Sequence, residues 1–371
     1  MTTEVLPIGG TAPGTAQTLT VRRFGRQGAR PKIYVQAGLH ADEPPGMLVA
    51  HHLIRLLQAH ADAGRITGEV VVVPLANPIG LSQRVMGGLL GRFDLANGIN
   101  FNRGYPTLAN HVASGVAGGL TEDPAANTAL IRAALLQANA SFSAITPAEH
   151  LKRMLLGLAL DADLVLDLHC ENLGAVHLYT LTPLADRCLP LAVLLGARAL
   201  LLASDSGGQP FDEACSRPWL DLERRFLSHP IPLACCSITV ELRGEADVSH
   251  ALATADAEAL VGSMMLAGAI DAPVPTLPTA RCAPTNLADV ELLYAPMPGV
   301  LVLHRAAGES VAPGDLVAEV INPVSGKIAE LRPRYAGVLF AQESIRFVAA
   351  GRSVAKIAGN EAGRSGLLIG V

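Results

Sequence analysis

Residues 161–171 read Asp-Ala-Asp-Leu-Val-Leu-Asp-Leu-His-Cys-Glu. The run is apolar on both faces until its end, where Asp167 and His169 fall two residues apart and so on one face. This is the pattern of a buried strand whose last residues emerge into a polar cleft. It recurs on either side. Lys32–Gly38 (KIYVQAG) stops at a glycine, Val70–Pro78 (VVVVPLANP) closes in an Asn-Pro turn, and Cys235–Gly244 (CCSITVELRG) carries Glu241 near its end. Residues 18–26 alternate as an early strand. Helical spacing of apolar residues marks 46–59 (behind Pro44 and Pro45), 125–140, 147–160 and 250–269. Strands alternating with helices predict an α/β fold, a three-layer α/β/α domain with a mixed, largely parallel sheet. Sites in such sheets lie beyond the C-terminal ends of the strands, where the polar residues are found here.

Residues 80–127, rich in Gly, Asn and Arg, read as long ordered loops, which in a compact domain are usually functional. Asp271–Ala280 holds three prolines in ten residues and no apolar period, which marks a linker. Beyond it, short Val/Leu/Ile runs broken by Gly and Pro predict a small all-β barrel or sandwich. The expected organisation is an α/β domain over 1–270, a Pro-rich linker over 271–286 and a β domain over 287–371.

Composition narrows the function. Of the 371 residues 50% are hydrophobic and 16% charged, enough apolar surface for a large core. The apolar residues are mostly small aliphatics. The longest apolar candidate, Leu189–Leu202, is broken by Gly196 and Arg198, short of the roughly 18 residues a spanning helix needs, so no membrane association is expected. A net charge of −5 gives no broad cationic surface and argues against nucleic acid as a partner. The start, MTTEVLPIGG, lacks a secretory pattern, and six cysteines without CxxC spacing read as reduced thiols, so a cytoplasmic location is expected.

Four segments carry chemistry. In Gly38-Leu39-His40-Ala41-Asp42-Glu43 an imidazole and a carboxylate three residues apart follow a strand and can converge on one cation. Alone this is a weak signal, and a surface loop capped by Asp42 would look the same. His169 ends a buried strand and needs a partner, since an unpaired polar group there costs about 1–3 kcal/mol. A metal would satisfy it, with Asp167 orienting it from behind. A core histidine bonded to backbone is the alternative. Glu241, at the end of a β-branched strand, could take a proton from a water and pass it to a leaving amine, or be an ordinary strand-end acid. Finally, Arg92, Asn102 and Arg103 lie in the Gly-rich stretch 91–106, where guanidinium groups could bind a carboxylate or an oxyanion.

The order GLHADE, VPLANP, NFNR, DLH, ITVEL over about residues 18–270 resembles the succinylglutamate desuccinylase/aspartoacylase family, which is related to the zinc carboxypeptidases. The resemblance implies a zinc-carboxypeptidase-like fold holding one zinc per chain. Zinc would sit on His40, Glu43 and His169, with Glu241 the general base and Asn102-Arg103 on the substrate's carboxylate. It also implies an upstream arginine that polarises the scissile carbonyl, a role assigned to Arg92 with Arg84 as the rival. Two departures stand out: Asn100-Phe101 precedes the Asn-Arg pair where the family has Asp-Leu, and Arg243 replaces a glycine. Arg243 is expected to share a face with Glu241 and so to bind substrate or damp the base. Phe211–Trp219 also resembles a segment of family relatives and reads as a loop.

APMPGVLVL and GESVAPGDLV resemble a biotinyl/lipoyl-like β domain, but Lys327 does not fall at the carrier position, so a structural, mouth-shielding role is expected. His51, His52 and His60 read as exposed, and His111, His150, His177, His229, His250 and His304 have no partner at ligand spacing. The expected activity is hydrolysis of the amide of an N-acyl amino acid or similar small carboxylate. A carboxypeptidase acting on short peptides and a non-catalytic binding protein are the alternatives, and a homo-oligomer is left open.

Overall fold

Short runs of Val, Ile and Leu, each stopped by Gly, Pro or Asn, become the strands, and they do so in the expected alternation. The computed structural model describes residues 1–359 and 363–368. The chain opens with β1 (Thr2–Pro7), β2 (Thr18–Gly25), β3 (Lys32–Ala37), α1 (Pro44–Asp62), β4 (Glu69–Val73) and a short α2 (Pro78–Leu81). The stretch expected to be loops holds a hairpin, β5 (Arg84–Val85) and β6 (Gly88–Leu89), and a ten-residue helix, α3 (Leu108–Ala117). Its sequence, LANHVASGVA, buries Leu108, Val112 and Val116 at helical spacing, a period hidden among small residues.

Then come α4 (Pro124–Ser141), α5 (Pro147–Ala159), β7 (Leu164–Glu171), β8 (Leu173–Gly174), β9 (His177–Thr180), α6 (Ala185–Leu194) and β10 (Ala199–Leu202). They are followed by α7 (Phe211–Arg225), β11 (Cys236–Gly244), α8 (His250–Leu266) and β12 (Pro284–Asn286). The segment at 211–219, expected as a loop, is the first half of α7. It begins after Pro210, carries Asp212 and Glu213 in its first turn where the helix dipole favours acids, and tolerates Pro218 inside.

Nine strands form one sheet in the order β1-β2-β4-β3-β7-β11-β9-β10-β12. The centre, β4-β3-β7-β11, is parallel; β1, β2 and the β11–β9 junction are antiparallel. Helices cover both faces. On one side Leu53 and Leu57 of α1, Leu191 of α6 and Leu260 of α8 share one apolar core with Leu166 and Leu168 of β7. On the other, Val112, Leu135, Leu155 and Trp219 of α3, α4, α5 and α7 share a second core with Tyr34 and Val165. The sheet is mixed and largely parallel between two helical layers, as the alternation predicts. No helix among the described residues is long and apolar enough to cross a membrane.

The C-terminal part is all β: β13 (Val290–Tyr294), β14 (Gly299–Leu303), β15 (Ser310–Val311), β16 (Ala318–Ile321), β17 (Ile328–Leu331), β18 (Gly337–Gln342), β19 (Phe347–Val348) and β20 (Ser353–Ala358). Two small sheets, β13-β20-β18-β15 and β17-β16-β14-β19, enclose their own core around Leu293, Leu301, Val320 and Ile357. This unit is stitched to the large sheet. β12, at the end of the stretch read as linker, is its edge strand beside β10, and β8 pairs with β18.

Candidate active site

β3 ends in Gly38, whose φ of +69° bends the chain sharply and whose missing side chain leaves room for Met47. The loop then presents His40 and, immediately before Pro44 and Pro45 open α1, Glu43. β7 lies next to β3 in the sheet and brings His169 to the same point. Nδ1 of His40 meets Glu43 Oε1 at 2.8 Å and Nδ1 of His169 meets Glu43 Oε2 at 2.9 Å. All three side chains are buried. The outer ring nitrogens are held from behind: His40 Nε2 donates to Asn100 Oδ1 at 2.9 Å, and His169 Nε2 lies 3.0 Å from Asp167 Oδ2. Both histidines therefore turn Nδ1 inward, toward one point.

Burial alone would raise the Glu43 carboxyl, yet the two imidazoles hold it well below its usual range. His40 is pushed down to about 4 by burial, against the pull of Glu43. Burial also disfavours the charged His169, but Asp167 and Glu43 raise it well above its usual value. The cluster is thus built to surround positive charge. Two inward imidazole nitrogens and a carboxylate lie within 4.8 Å of one another, with Asn100 and Asp167 behind them, an N/O donor set that could hold a metal ion. The residues fit a divalent metal.

Parallel pairing of β7 with β11 sets Glu241 directly beside His169, and antiparallel pairing of β11 with β9 sets His177 on its other side. A row His169–Glu241–His177 crosses the sheet, with Gln36–Asp167–Thr239–Tyr179 one step below it. Glu241 is pushed up to about 8 by burial and by Glu171 and Glu43, and its Oε2 has no hydrogen-bond partner among the described residues. A half-buried carboxylate with an uncommitted oxygen next to the His40–Glu43–His169 cluster is placed to accept a proton.

Arg92 reaches the cluster, its Nη1 donating to Glu43 Oε1 at 3.0 Å, whereas Arg84 is exposed on β5 and does not line the cavity. Between the two arginines weighed for the carbonyl, Arg92 is the one at the site. Asn102 and Arg103 both line the cavity, and Asn102 Oδ1 also accepts the backbone N–H of Phe211 at 2.9 Å, locking the start of α7 to this loop. Arg243 corrects an expectation. A left-handed φ of 66° and a register shift between Glu241 and Gly244 turn it off the face of Glu241, and both its terminal nitrogens bind Asp256 of α8 at 2.6 and 2.7 Å. It neither lines the cavity nor touches the base.

Several site residues lay outside the sequence reading. Asn100, the departure from the family pattern, buttresses His40. His177, expected to lack a partner, is fully buried; Nδ1 donates to Ala175 O at 2.8 Å, and Nε2 lies 3.9 Å from Glu171 Oε1 with Glu241 close by. Tyr179, on the same face of β9, lines the cavity as a phenol within it. The C-terminal unit supplies Lys356, ion-paired with Glu171 at 2.5 Å, and Arg364, which donates to Leu287 O at 2.9 Å. These could not be found from local motifs because they arrive by strand pairing or across the joint between units. His52 also departs from expectation. It is buried between α1 and α8, its Nε2 3.0 Å from His250 Nδ1 and away from the cavity.

The cavity over this row measures about 840 Å³, within the range of small-molecule sites. One wall is the His40–Glu43–His169 cluster, one the start of α7, and one the C-terminal unit, with Leu367 and Leu368 at its edge.

The chain aligns closely with solved structures. A succinylglutamate desuccinylase/aspartoacylase family protein from Shewanella amazonensis SB2B matches with a TM-score of 0.84 at 25% identity, covering 96% of this chain and 98% of the other. A counterpart from Shewanella frigidimarina NCIMB 400 matches with a TM-score of 0.84 at 25% identity, covering 97% of each. The ectoine utilization protein EutE (DoeB) from Ruegeria pomeroyi shares the fold alone, with a TM-score of 0.66 at 18% identity over 96% of this chain and 95% of that one. No functionally curated protein matches the sequence. Residues 29–266, which hold the His40–Glu43–His169 cluster, Glu241 and both cavity-lining arginines of the 91–106 loop, match the succinylglutamate desuccinylase/aspartoacylase catalytic domain, and the chain belongs to that family of hydrolases.

Proposed function

We propose that the protein is a zinc-dependent deacylase that hydrolyses the amide bond of N-acyl amino acids. The observation that carries this reading is the juxtaposition of the His40–Glu43–His169 donor set with Glu241, one strand over and with a free oxygen. Zinc in such a donor set supplies Lewis-acid polarisation and makes water acidic enough to attack near neutral pH. Glu241 takes the proton of the attacking water and returns it to the departing amine. Arg92, already at Glu43, stands where it can donate to the developing oxyanion. Arg103 and Asn102 hold the substrate's carboxylate, and Tyr179 offers a further O–H donor in the same cavity. His177 and Lys356 flank Glu171 and fix the charge beside the base. The C-terminal unit, whose sequence resembles a biotinyl/lipoyl-like domain, acts as a wall of the cavity and not as a carrier; Lys356 and Arg364 are its contribution.

Purified protein is expected to contain about one zinc per chain and to release amine from N-acyl amino acids faster than from short peptides of similar size. The cavity is roomy enough for both, so the peptides are a fair control. A zinc-loaded protein that cleaves the peptides and leaves every N-acyl amino acid intact would reverse the assignment to a carboxypeptidase. Zinc without turnover of either would favour a binding role.

A further inference from the structure

With Glu241 ionised, as a base must be, three acceptors face one another beside the His40–Glu43–His169 cluster. His177 is 0% exposed, and its Nδ1 lies 2.8 Å from the carbonyl oxygen of Ala175. A carbonyl only accepts, so Nδ1 carries the ring proton and Nε2 keeps its lone pair. One ligand atom each from His177, Glu171 and Glu241 lies within 4.8 Å of the others. Yet His177 Nε2 and Glu241 Oε2 have no hydrogen-bond partner among the described residues. A fully buried lone pair aimed at two carboxylates is costly unless a cation completes it.

Strand pairing fixes this trio. Glu241 of β11 and His177 of β9 are direct partners, and Glu171 ends β7 on the other side of β11. The spacing is wrong for a shared proton and right for a shared ion. His177 Nε2 stands 3.9 Å from Glu171 Oε1, beyond hydrogen-bond range. Two ligands that each sit about 2.0–2.2 Å from one ion are up to roughly 4 Å apart. A ring nitrogen anchored on a backbone carbonyl, with the other left free, is also the usual state of a metal-binding histidine. The trio shares no residue with His40–Glu43–His169.

We propose that Glu171, His177 and Glu241 form a second, weaker site for a divalent transition-metal ion, held in check by Lys356. One imidazole and two carboxylates suit zinc or manganese. Lys356, from the C-terminal unit, lies 2.5 Å from Glu171 Oε1, but no hydrogen bond from it reaches His177 Nε2 or Glu241 Oε2. Its ammonium repels a divalent ion and so keeps this affinity below that of the first cluster. An ion in the trio takes up the oxygen with which Glu241 would accept a proton, so it shuts off the hydrolysis that the first ion supports. Only that loss of activity rests on the deacylase reading; the binding does not.

The test titrates chelator-stripped protein with zinc by calorimetry and follows amine release from N-acyl amino acids on the same samples. Wild type is expected to bind about two zinc ions per chain, the second at least about tenfold more weakly. His40→Ala should lose the tight ion and keep the weak one, and His177→Asn the reverse. Lys356→Met should bind the second ion about tenfold tighter or more, because the competing charge is gone. Activity should rise with the first equivalent and fall on the order of 10²-fold as the second site fills. A single zinc per chain, or a second zinc whose affinity is unchanged in His177→Asn, overturns the proposal. So does full activity with both ions bound. Should His177→Asn not fold, Lys356→Met decides: a tighter second zinc supports the site, and an unchanged or weaker one overturns it. A second zinc with these variant effects, but no turnover of any N-acyl amino acid at any loading, supports the site and sinks the deacylase.

Discussion

Glu241 and His169 are paired residues of adjacent parallel strands, so the proposed base and the proposed metal ligand are held by the same ladder. Their relative position is a property of the sheet and not of a loop. Glu241→Gln keeps the volume and the ladder but removes the proton acceptor. The variant is expected to bind zinc like the wild type and to lose on the order of 10²–10⁴-fold in kcat. Metal analysis and kinetics on one sample check this, and an unimpaired kcat would remove Glu241 from its role.

Asp167 is approached from two sides. Gln36 Nε2 donates to its Oδ1 at 2.9 Å, with Gln36 itself oriented by the Tyr34 hydroxyl, which donates to Oε1 at 2.9 Å. His169 Nε2 faces Oδ2. An asparagine has a single acceptor oxygen, so in Asp167→Asn its amide must face one of these donors. Loss of the partner behind a ligating histidine typically costs 10–100-fold in metal affinity, and the same loss is expected here. Competition with a zinc chelator measures it; unchanged affinity would mean that Asp167 does not orient His169.

How far the sequence carried follows from the range of each interaction. His40 and Glu43 are three residues apart after a glycine-stopped strand, and His169 and Glu241 each end an apolar run, so their exposure to a cleft was legible locally. Arg243 misled because alternation assumes a regular strand, and one residue with φ of 66° turns it toward Asp256. His177 looked unpartnered because its neighbours Glu171 and Glu241 reach it through an antiparallel turn in the sheet order that no local pattern encodes. Lys356 lies 185 residues from its partner Glu171, beyond any motif. Asp212 and Glu213 were hidden by reading a helix with an internal proline as a loop.

Arg243 is placed in the frame and outside the chemistry. Asp256 is 4% exposed, and both its oxygens are held by Arg243. Removing one partner of a buried pair strands the other charge, at a cost of about 3–5 kcal/mol, here reduced because Arg243 is partly solvated. Arg243→Ala should therefore lower the denaturant midpoint by an amount worth a few kcal/mol while leaving KM and kcat of the folded enzyme within about twofold. A large KM increase with an unchanged midpoint would return Arg243 to the substrate site.

His177 makes stability depend on pH. Burial is the main force holding it down to about 4 in the folded chain, against an ordinary value of 6.5. As pH falls through 6.5 the unfolded chain takes up this proton and the folded chain does not. Stability due to the neutral ring is thus complete above 6.5 and is lost progressively down to about 4. From pH 7 to pH 5 the loss amounts to about 2 kcal/mol. His177→Asn retains an N–H for Ala175 O and removes the titration. Urea unfolding in the presence of a chelator, so that metal release plays no part, should show the variant losing less stability than wild type over that interval by about this amount. Parallel stability profiles for the two proteins would show that His177 is already protonated in the folded chain, contrary to the buried, neutral ring beside Glu171 and Glu241.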